Sequence, residues 1–403
     1  MKLAYYPGCS AEGSGIELGL STERVAKIFD IELVEIDDWN CCGATSGHST
    51  NKLLSLALPA RNLAIAEEKG LDMLAPCAAC YSRHRAAEIA IREDTKMRER
   101  ISGIIDRDVN GSIRTLSILE VLAGLGTEKI ASKVTNPLTT MKAACYYGCL
   151  LVRPVENTGF DDPEDPQIMD RIMRSLGADP VEWSHKTECC GASLVTSRPD
   201  IGKPMLSRIF ADAVEAGAEC IITACPLCML NLDMRQAALE KDFGKKFNMP
   251  IYYLTEVIAL ACGDKPETVG TNRHFVEAQA YLALIKTRAE KLAQEEARAA
   301  AEAKARAEEK ARRKDEIKPS STDDKEALQK KVDGMIKALE KNPDKMAQRL
   351  IPDQEQAEIL SGIIKGDEKK RTKLAELLVK DPDKASKAAE AYVNAELKNQ
   401  KSS

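Results

Sequence analysis

The stretch NCCGATSGHS (residues 40–49) returns later in the same chain as ECCGASLVTS (188–197). Each is a pair of adjacent cysteines followed by Gly, Ala and a run of small residues. Adjacent cysteines make poor disulfides, because the tight ring they would close strains the bond geometry. Other cysteines surround each pair in the same order. In the first half, Cys9 is followed after 31 residues by Cys41-Cys42, and after another 34 by Cys77-x-x-Cys80. In the second half, Cys149 is followed after 39 residues by Cys189-Cys190, and after 34 by Cys225-x-x-Cys228. The flanks agree as well: YYPGC (5–9) matches YYGC (146–149), and APCAAC (75–80) matches ACPLC (224–228). Five cysteines in one order, twice, with matching neighbours, mark a duplicated domain.

Each copy alternates short apolar runs with stretches of helical spacing. In the first, KLAYYP (2–7), IELVEI (31–36) and LDMLAP (71–76) read as strands, with helical spacing over 15–29 and 51–68. In the second, MKAACYY (141–147), DPVEWS (179–184) and ECIITA (219–224) are the strands, and 166–177 and about 201–217 the helices. Such alternation predicts an α/β fold with two duplicated parallel sheets joined by right-handed crossovers. All ten patterned cysteines then fall at the carboxyl ends of strands, the edge where open α/β sheets bind ligands. Gly8, Gly43, Gly148 and Gly191 would let the backbone pass close to a bulky group. The expected boundaries are 1–135 and 136–272 for the two cysteine-rich domains, 273–320 for a linker helix and 321–403 for an all-α module.

Composition bounds the chemistry. The chain has 403 residues, 44% hydrophobic and 30% charged, with a net charge of -5 and 13 cysteines. It has no run of about 18 apolar residues, so no membrane insertion is expected. The start, MKLAYYPGCS, lacks a basic region followed by an apolar one, so no signal peptide is expected. A reducing cytoplasm follows, where so many cysteines point to metal or redox chemistry instead of a disulfide framework. Nothing suggests nucleic-acid binding. A Cys-x-x-Cys alone is compatible with zinc, dithiol or iron–sulfur chemistry. Zinc wants four ligands in a tetrahedron. Here each copy offers five, and two adjacent thiolates are better placed on different irons of a cluster than on one small ion. Soft thiolate sets suit iron–sulfur clusters, so one cluster per copy is the favoured reading.

This cysteine pattern resembles the duplicated cysteine-rich CCG domain family, which includes the catalytic B subunit of heterodisulfide reductase and the glycolate oxidase iron–sulfur subunits. The likeness covers about residues 1–265. It implies one non-cubane [4Fe–4S] cluster on Cys9, Cys41, Cys42, Cys77 and Cys80, and a second on Cys149, Cys189, Cys190, Cys225 and Cys228. The same ten cysteines would then form the catalytic centre, with Gly43 and Gly191 beside the cofactor and leaving room for substrate. It further implies reduction of a disulfide, such as that of coenzyme M and coenzyme B, with electrons from a ferredoxin-like C subunit fed by a flavin-containing A subunit. A non-catalytic electron-transfer subunit of a flavin- or quinone-linked dehydrogenase is the alternative. His48 and His185, near the doubled cysteines in sequence, are candidate proton donors; His84 and His274 are weaker ones. Cys145 competes with Cys149 as a ligand, but the first copy has Tyr5 at the matching place. Cys220 and Cys262 read as buried small residues, and the paired tyrosines as strand core.

The last third is different material. From about 277 to 314 it is dominated by Ala, Glu, Lys and Arg and reads as a long solvated helix. DEIKPSSTDD (315–324) should break it. Apolar spacing then returns in short segments, and KNPDK (341–345) and KDPDK (380–384) look like helix starts, with a hint of a weak repeat. Residues 273–403 carry +4, and 1–272 carry -9. A mildly basic tail beside an acidic core suits a docking arm.

Overall fold

A computed structural model describes residues 1–244, 246–316 and 322–401. The chain divides into two compact units, Met1–Glu296 and Ala297–Ser403.

The first unit holds both cysteine-rich repeats. Repeat one carries β1 (Lys2–Tyr5), β2 (Glu32–Glu35), β3 (Met73–Leu74) and β4 (Thr115–Leu116) in the order β2-β1-β3-β4. Repeat two carries β5 (Lys142–Tyr146), β6 (Asp179–Pro180), β7 (Cys220–Thr223) and β8 (Ile251–Tyr253) in the matching order β6-β5-β7-β8. Every pairing is parallel. The predicted strands are all present. The fourth in each sheet was not anticipated, because two or three residues are too few to show an alternation. In each sheet the strand order reverses between the first and third strands. That switch point opens a crevice at the strand carboxyl ends, and the loops after β1 and β3 deliver Cys9, Cys77 and Cys80 there, as those after β5 and β7 deliver Cys149, Cys225 and Cys228.

The repeats are joined by exchanged helices. The helix after β1, Ile16–Ile28, packs on the helix after β8, Leu254–Ala261. Its counterpart after β5, Ile168–Ser175, packs on the helix after β4, Ile118–Leu125. This reciprocity is what a pseudo-twofold axis between the copies requires. At the first joint the buried hydroxyls of Ser21 and Thr255 are 2.6 Å apart, and Arg24 grips Asp264 with both ends of its guanidinium at 2.6 and 2.8 Å. Such forked pairs combine charge with fixed geometry.

The charged helix runs as one element, Gln279–Glu316. Its first turns are not part of a free linker, as the boundary at 273 had implied. Ala278, Tyr281 and Ile285 are buried in the core of the first unit, the Lys142 N–H donates to the Tyr281 hydroxyl at 3.2 Å, and Arg288 pairs with Glu219 at 2.5 Å. Apolar residues spaced three and four apart turn this end of the helix inward. The expected break at 315–324 lies partly outside the described residues.

The second unit is all-α: Thr322–Lys341, Pro343–Leu350, Gln354–Gly366, Glu368–Lys380 and Pro382–Lys401. Pro343 and Pro382 are first residues of their helices, where a missing N–H costs nothing. Val332, Leu339, Leu360, Ile364, Leu374 and Val393 form its own core.

A chain ended after Glu296 is expected to keep the thermal stability of the two repeats. One ended after Val276 uncovers the sites of Tyr281 and Ile285 and should lose about 2–5 kcal/mol, read as a lower unfolding temperature. Equal stability of the two truncations would contradict this packing.

Candidate functional site

Each repeat places its five thiols by the same local devices. Cys9 sits in the short helix Gly8–Ala11 that follows β1, and Cys149 in the turn after β5. The doubled cysteines ride in the loops after β2 and β6. Cys77 and Cys225 stand at the N-caps of helices Ala78–Glu93 and Pro226–Met234, and Cys80 and Cys228 lie in their first turns. Gly8 and Gly148 have φ of 73° and 65°, and a Cβ on either would lie 3.3 Å from the Cys80 or Cys228 sulfur. Glycine there lets the turn pass over the thiols.

The two sets meet. Starting at Cys41, neighbouring thiols shift one another's pKa through side-chain interactions in the order Cys41, Cys42, Cys80, Cys77, Cys225, Cys228, Cys190, Cys189, Cys149. The Cys42 and Cys80 sulfurs are 3.3 Å apart. The link between repeats is Cys77 with Cys225. Cys9 alone stands outside this chain, exposed at one edge with Cys41, while Cys149 and Cys189 are half-buried at the other.

The electrostatics show what the arrangement lacks. Hydrogen bonds from Cys41 and Cys80 hold Cys42 down to about 2, and those from Cys149 and Cys190 hold Cys189 down to about 3. Their donors undergo the opposite shift: Cys41, Cys80, Cys149 and Cys190 are pushed up by that same sharing and by burial. Ionising one thiol thus keeps its neighbours protonated, and the nine linked thiols can all be thiolates only beside strong positive charge. No three His, Cys, Asp or Glu among the described residues are arranged around one metal ion. A string of pairwise-apposed soft donors fits a polynuclear iron–sulfur group, whose irons each take one or two thiolates.

Tyr6 and Tyr146 are fully buried and stand three residues before Cys9 and Cys149. Their hydroxyls donate to the carbonyls of Asn40 (3.0 Å) and Glu188 (2.6 Å), the residues immediately before each doubled cysteine. They are strand-end core, as expected, and they also hold the loops that carry the thiols. Burial raises both phenols, followed by the charges of Cys80 and Cys228 respectively, so they remain donors. Below the first set, His84 is wholly buried, its Nδ1 2.8 Å from the Cys80 carbonyl and its Nε2 3.2 Å from the Asn62 amide nitrogen. That network fixes a neutral ring with the proton on Nδ1, and burial lowers its pKa accordingly.

Several expected features fall elsewhere. On the side where a Cβ would stand, Gly43 and Gly191 face protein: a Cβ would lie 2.7 Å from Leu58 Cδ1 and 3.0 Å from Val195 Cγ2. These glycines instead let the loops pack tightly and turn their N–H groups toward the Cys41 and Cys189 sulfurs, at 3.5 and 3.3 Å. Cys145 is buried in β5, registered on Ile222, and is not in the thiol chain. Cys220 is buried in β7, whereas Cys262 is half-buried at a helix end. His48 is exposed, His185 is 2.9 Å from Asp212, and His274 is buried 2.9 Å from Glu256. The roles of Tyr6, Tyr146, Asn62 and His84 were not read in advance, although the shared offset of the tyrosines from Cys9 and Cys149 was a usable signal.

Tyr6→Phe and Tyr146→Phe should each cost about 1 kcal/mol by stranding a partly buried carbonyl. The doubled-cysteine amides next to the change should exchange hydrogen faster, and unaltered exchange at Cys41-Cys42 or Cys189-Cys190 would remove this bracing role.

Comparison with known proteins agrees with the duplicated fold. A match to the cysteine-rich domain family CCG covers residues 3–83 and 143–233, one span per repeat. The 8-methylmenaquinol:fumarate reductase membrane anchor subunit of Wolinella succinogenes is 32% identical over 69% of this chain and 98% of its own. The B subunit of the ferredoxin/F420H2-dependent CoB-CoM heterodisulfide reductase of Methanosarcina acetivorans is 29% identical over 70% of this chain and 97% of its own. A crystal structure of a hypothetical Helicobacter pylori protein has the same fold with a TM-score of 0.57 at 13% identity, over 69% of this chain and 52% of that one. With both repeats matched and every strand and each of the five patterned thiols duplicated, the chain belongs to the CCG cysteine-rich domain family.

Proposed function

We propose that this chain is an iron–sulfur redox subunit that holds two clusters side by side and reduces a disulfide to two thiols within a larger complex. The observation that carries the reading is the continuity of the thiol chain across Cys77 and Cys225. Two soft donor sets in one buried volume can serve a substrate that must take two electrons. Relatives named as B subunits of heterodisulfide reductases support it. In this reading each repeat's five cysteines hold a non-cubane [4Fe–4S] cluster, which when bound supplies one-electron transfer.

The chain's own residues do the rest. The thiols ligate. Tyr6, Tyr146 and the N–H groups of Gly43 and Gly191 hold the loops and face the sulfurs. Exposed Cys9 and Cys41, and half-buried Cys149 and Cys189, mark the edges that a substrate or partner can reach. The reaction balances as one disulfide, two electrons and two protons giving two thiols. Electrons arrive singly from a ferredoxin-like C subunit fed by a flavin-containing A subunit, and the substrate is the coenzyme M–coenzyme B disulfide or another disulfide. Work in the cytoplasm suits this chemistry. Among the described residues no helix is long and apolar enough to cross a membrane.

The Wolinella relative favours a second reading, an electron-transfer subunit of a quinone-linked dehydrogenase with no substrate at its clusters. Anaerobically reconstituted full-length chain should bind about eight irons and eight acid-labile sulfides. Cys42→Ser or Cys190→Ser should lose only its own repeat's share. Dye-linked reduction of a disulfide by the loaded protein supports the first reading. Loaded clusters that reduce no disulfide but exchange electrons with a quinol analogue select the second. Stoichiometric zinc in place of iron would contradict both.

A further inference from the structure

The repeats are not equivalent behind their doubled cysteines. Asn231 lies three residues after Cys228 on helix Pro226–Met234, one turn along the same face. It is 3% exposed. Its Nδ2 is 3.5 Å from the Cys190 sulfur, 3.3 Å from the Cys190 carbonyl oxygen and 3.0 Å from the Ala192 carbonyl oxygen. Two carbonyls at that end decide which way the amide turns, because an oxygen there would meet only acceptors. The donor end therefore faces the thiol.

Repeat one has nothing equivalent among the described residues. The matching position, three after Cys80, is Arg83, which is half-buried and whose side chain makes no hydrogen bond or ion pair with them. Its loop is held by Asn62, from helix Lys52–Glu68, whose side chain accepts from the Asn40 N–H, donates to the Asn40 carbonyl and faces His84. The Asn62 amide makes no hydrogen bond to a cysteine sulfur. One repeat thus sets a buried amide N–H against a cysteine sulfur, and the other directs its amide to backbone.

We propose that Asn231 is a positioning residue that makes the two iron–sulfur centres electronically unequal, its amide N–H donating to Cys190 and raising the reduction potential of the second centre. Reduction adds negative charge to a cluster and its thiolates. A donor fixed against one of those sulfurs favours the reduced form, and more strongly where water is excluded. The inference rests on the reading that each cysteine set holds a cluster.

The test is a redox titration, followed by electron paramagnetic resonance, of the reconstituted full-length chain and its Asn231→Leu and Asn231→Gln variants. Cys42→Ser and Cys190→Ser assign the signals to their repeats. In Asn231→Leu the reduced-to-oxidised ratio of the second centre at a fixed potential should fall about tenfold, which is 59 mV for one electron. The first centre should not move, and Asn231→Gln, which keeps a donor, should recover part of the loss. Should Asn231→Leu fail to load its second centre, wild-type protein labelled with 15N in its asparagine side-chain amides decides. A nitrogen hyperfine coupling at the second centre that is lost in Asn231→Gln upholds the proposal, and its absence overturns it. A fully loaded Asn231→Leu with an unmoved second potential, or equal shifts at both centres, also overturns it. Wild-type protein that takes up no iron would remove the two-cluster reading and this inference with it, whereas iron with an unmoved potential removes the inference alone.

Discussion

The contact between Cys77 and Cys225 is the constraint on which the rest of the first unit depends. Each residue caps the helix that follows the third strand of its sheet, so the two sheets must present their carboxyl edges to each other for these thiols to influence one another. Once they do, the thiols of both repeats fall into one line. The nine thiols of that line cannot all ionise unaided, because each thiolate raises its neighbours. Strong positive charge beside the sulfurs, which the proposed iron–sulfur clusters supply, would relieve this.

The packing around the seam follows from duplication. A helix from the start of each repeat lies on a helix from the end of the other, so neither copy can shift without disturbing both joints. The Ser21–Thr255 hydroxyl pair and the Arg24–Asp264 fork fix one joint. The close approach of repeat one to the second Cys-x-x-Cys is as tight: a Cβ on Gly15 would lie 3.0 Å from Pro226 and 3.2 Å from the Tyr253 hydroxyl. Under the proposed function this rigidity matters, since electron exchange between two centres depends on a fixed separation.

Much of this was legible in the residues. The doubled cysteines and their equal 34-residue gaps identified the repeat, and alternating apolar periods identified parallel α/β sheets. Pro343 and Pro382 marked helix starts. What escaped reading was tertiary. β4 and β8 are too short to show a period. The inward face of Gln279–Glu316 rests on two apolar residues, Tyr281 and Ile285, before a long charged run. Gly43 and Gly191 read as open space but accommodate Leu58 and Val195, because sequence shows that a Cβ is missing and not what occupies its place. Asn231 and His84 sit one helical turn from Cys-x-x-Cys cysteines, an offset that acquires meaning only when the opposite loop is seen.

The central claim is that two iron–sulfur centres lie against each other across the Cys77–Cys225 seam. The most direct measurement is the magnetic interaction between them in the doubly reduced, reconstituted full-length chain. The account predicts a strong spin–spin interaction that disappears when either set is emptied, as in Cys42→Ser or Cys190→Ser. Two full sets of iron with independent, non-interacting signals would contradict it.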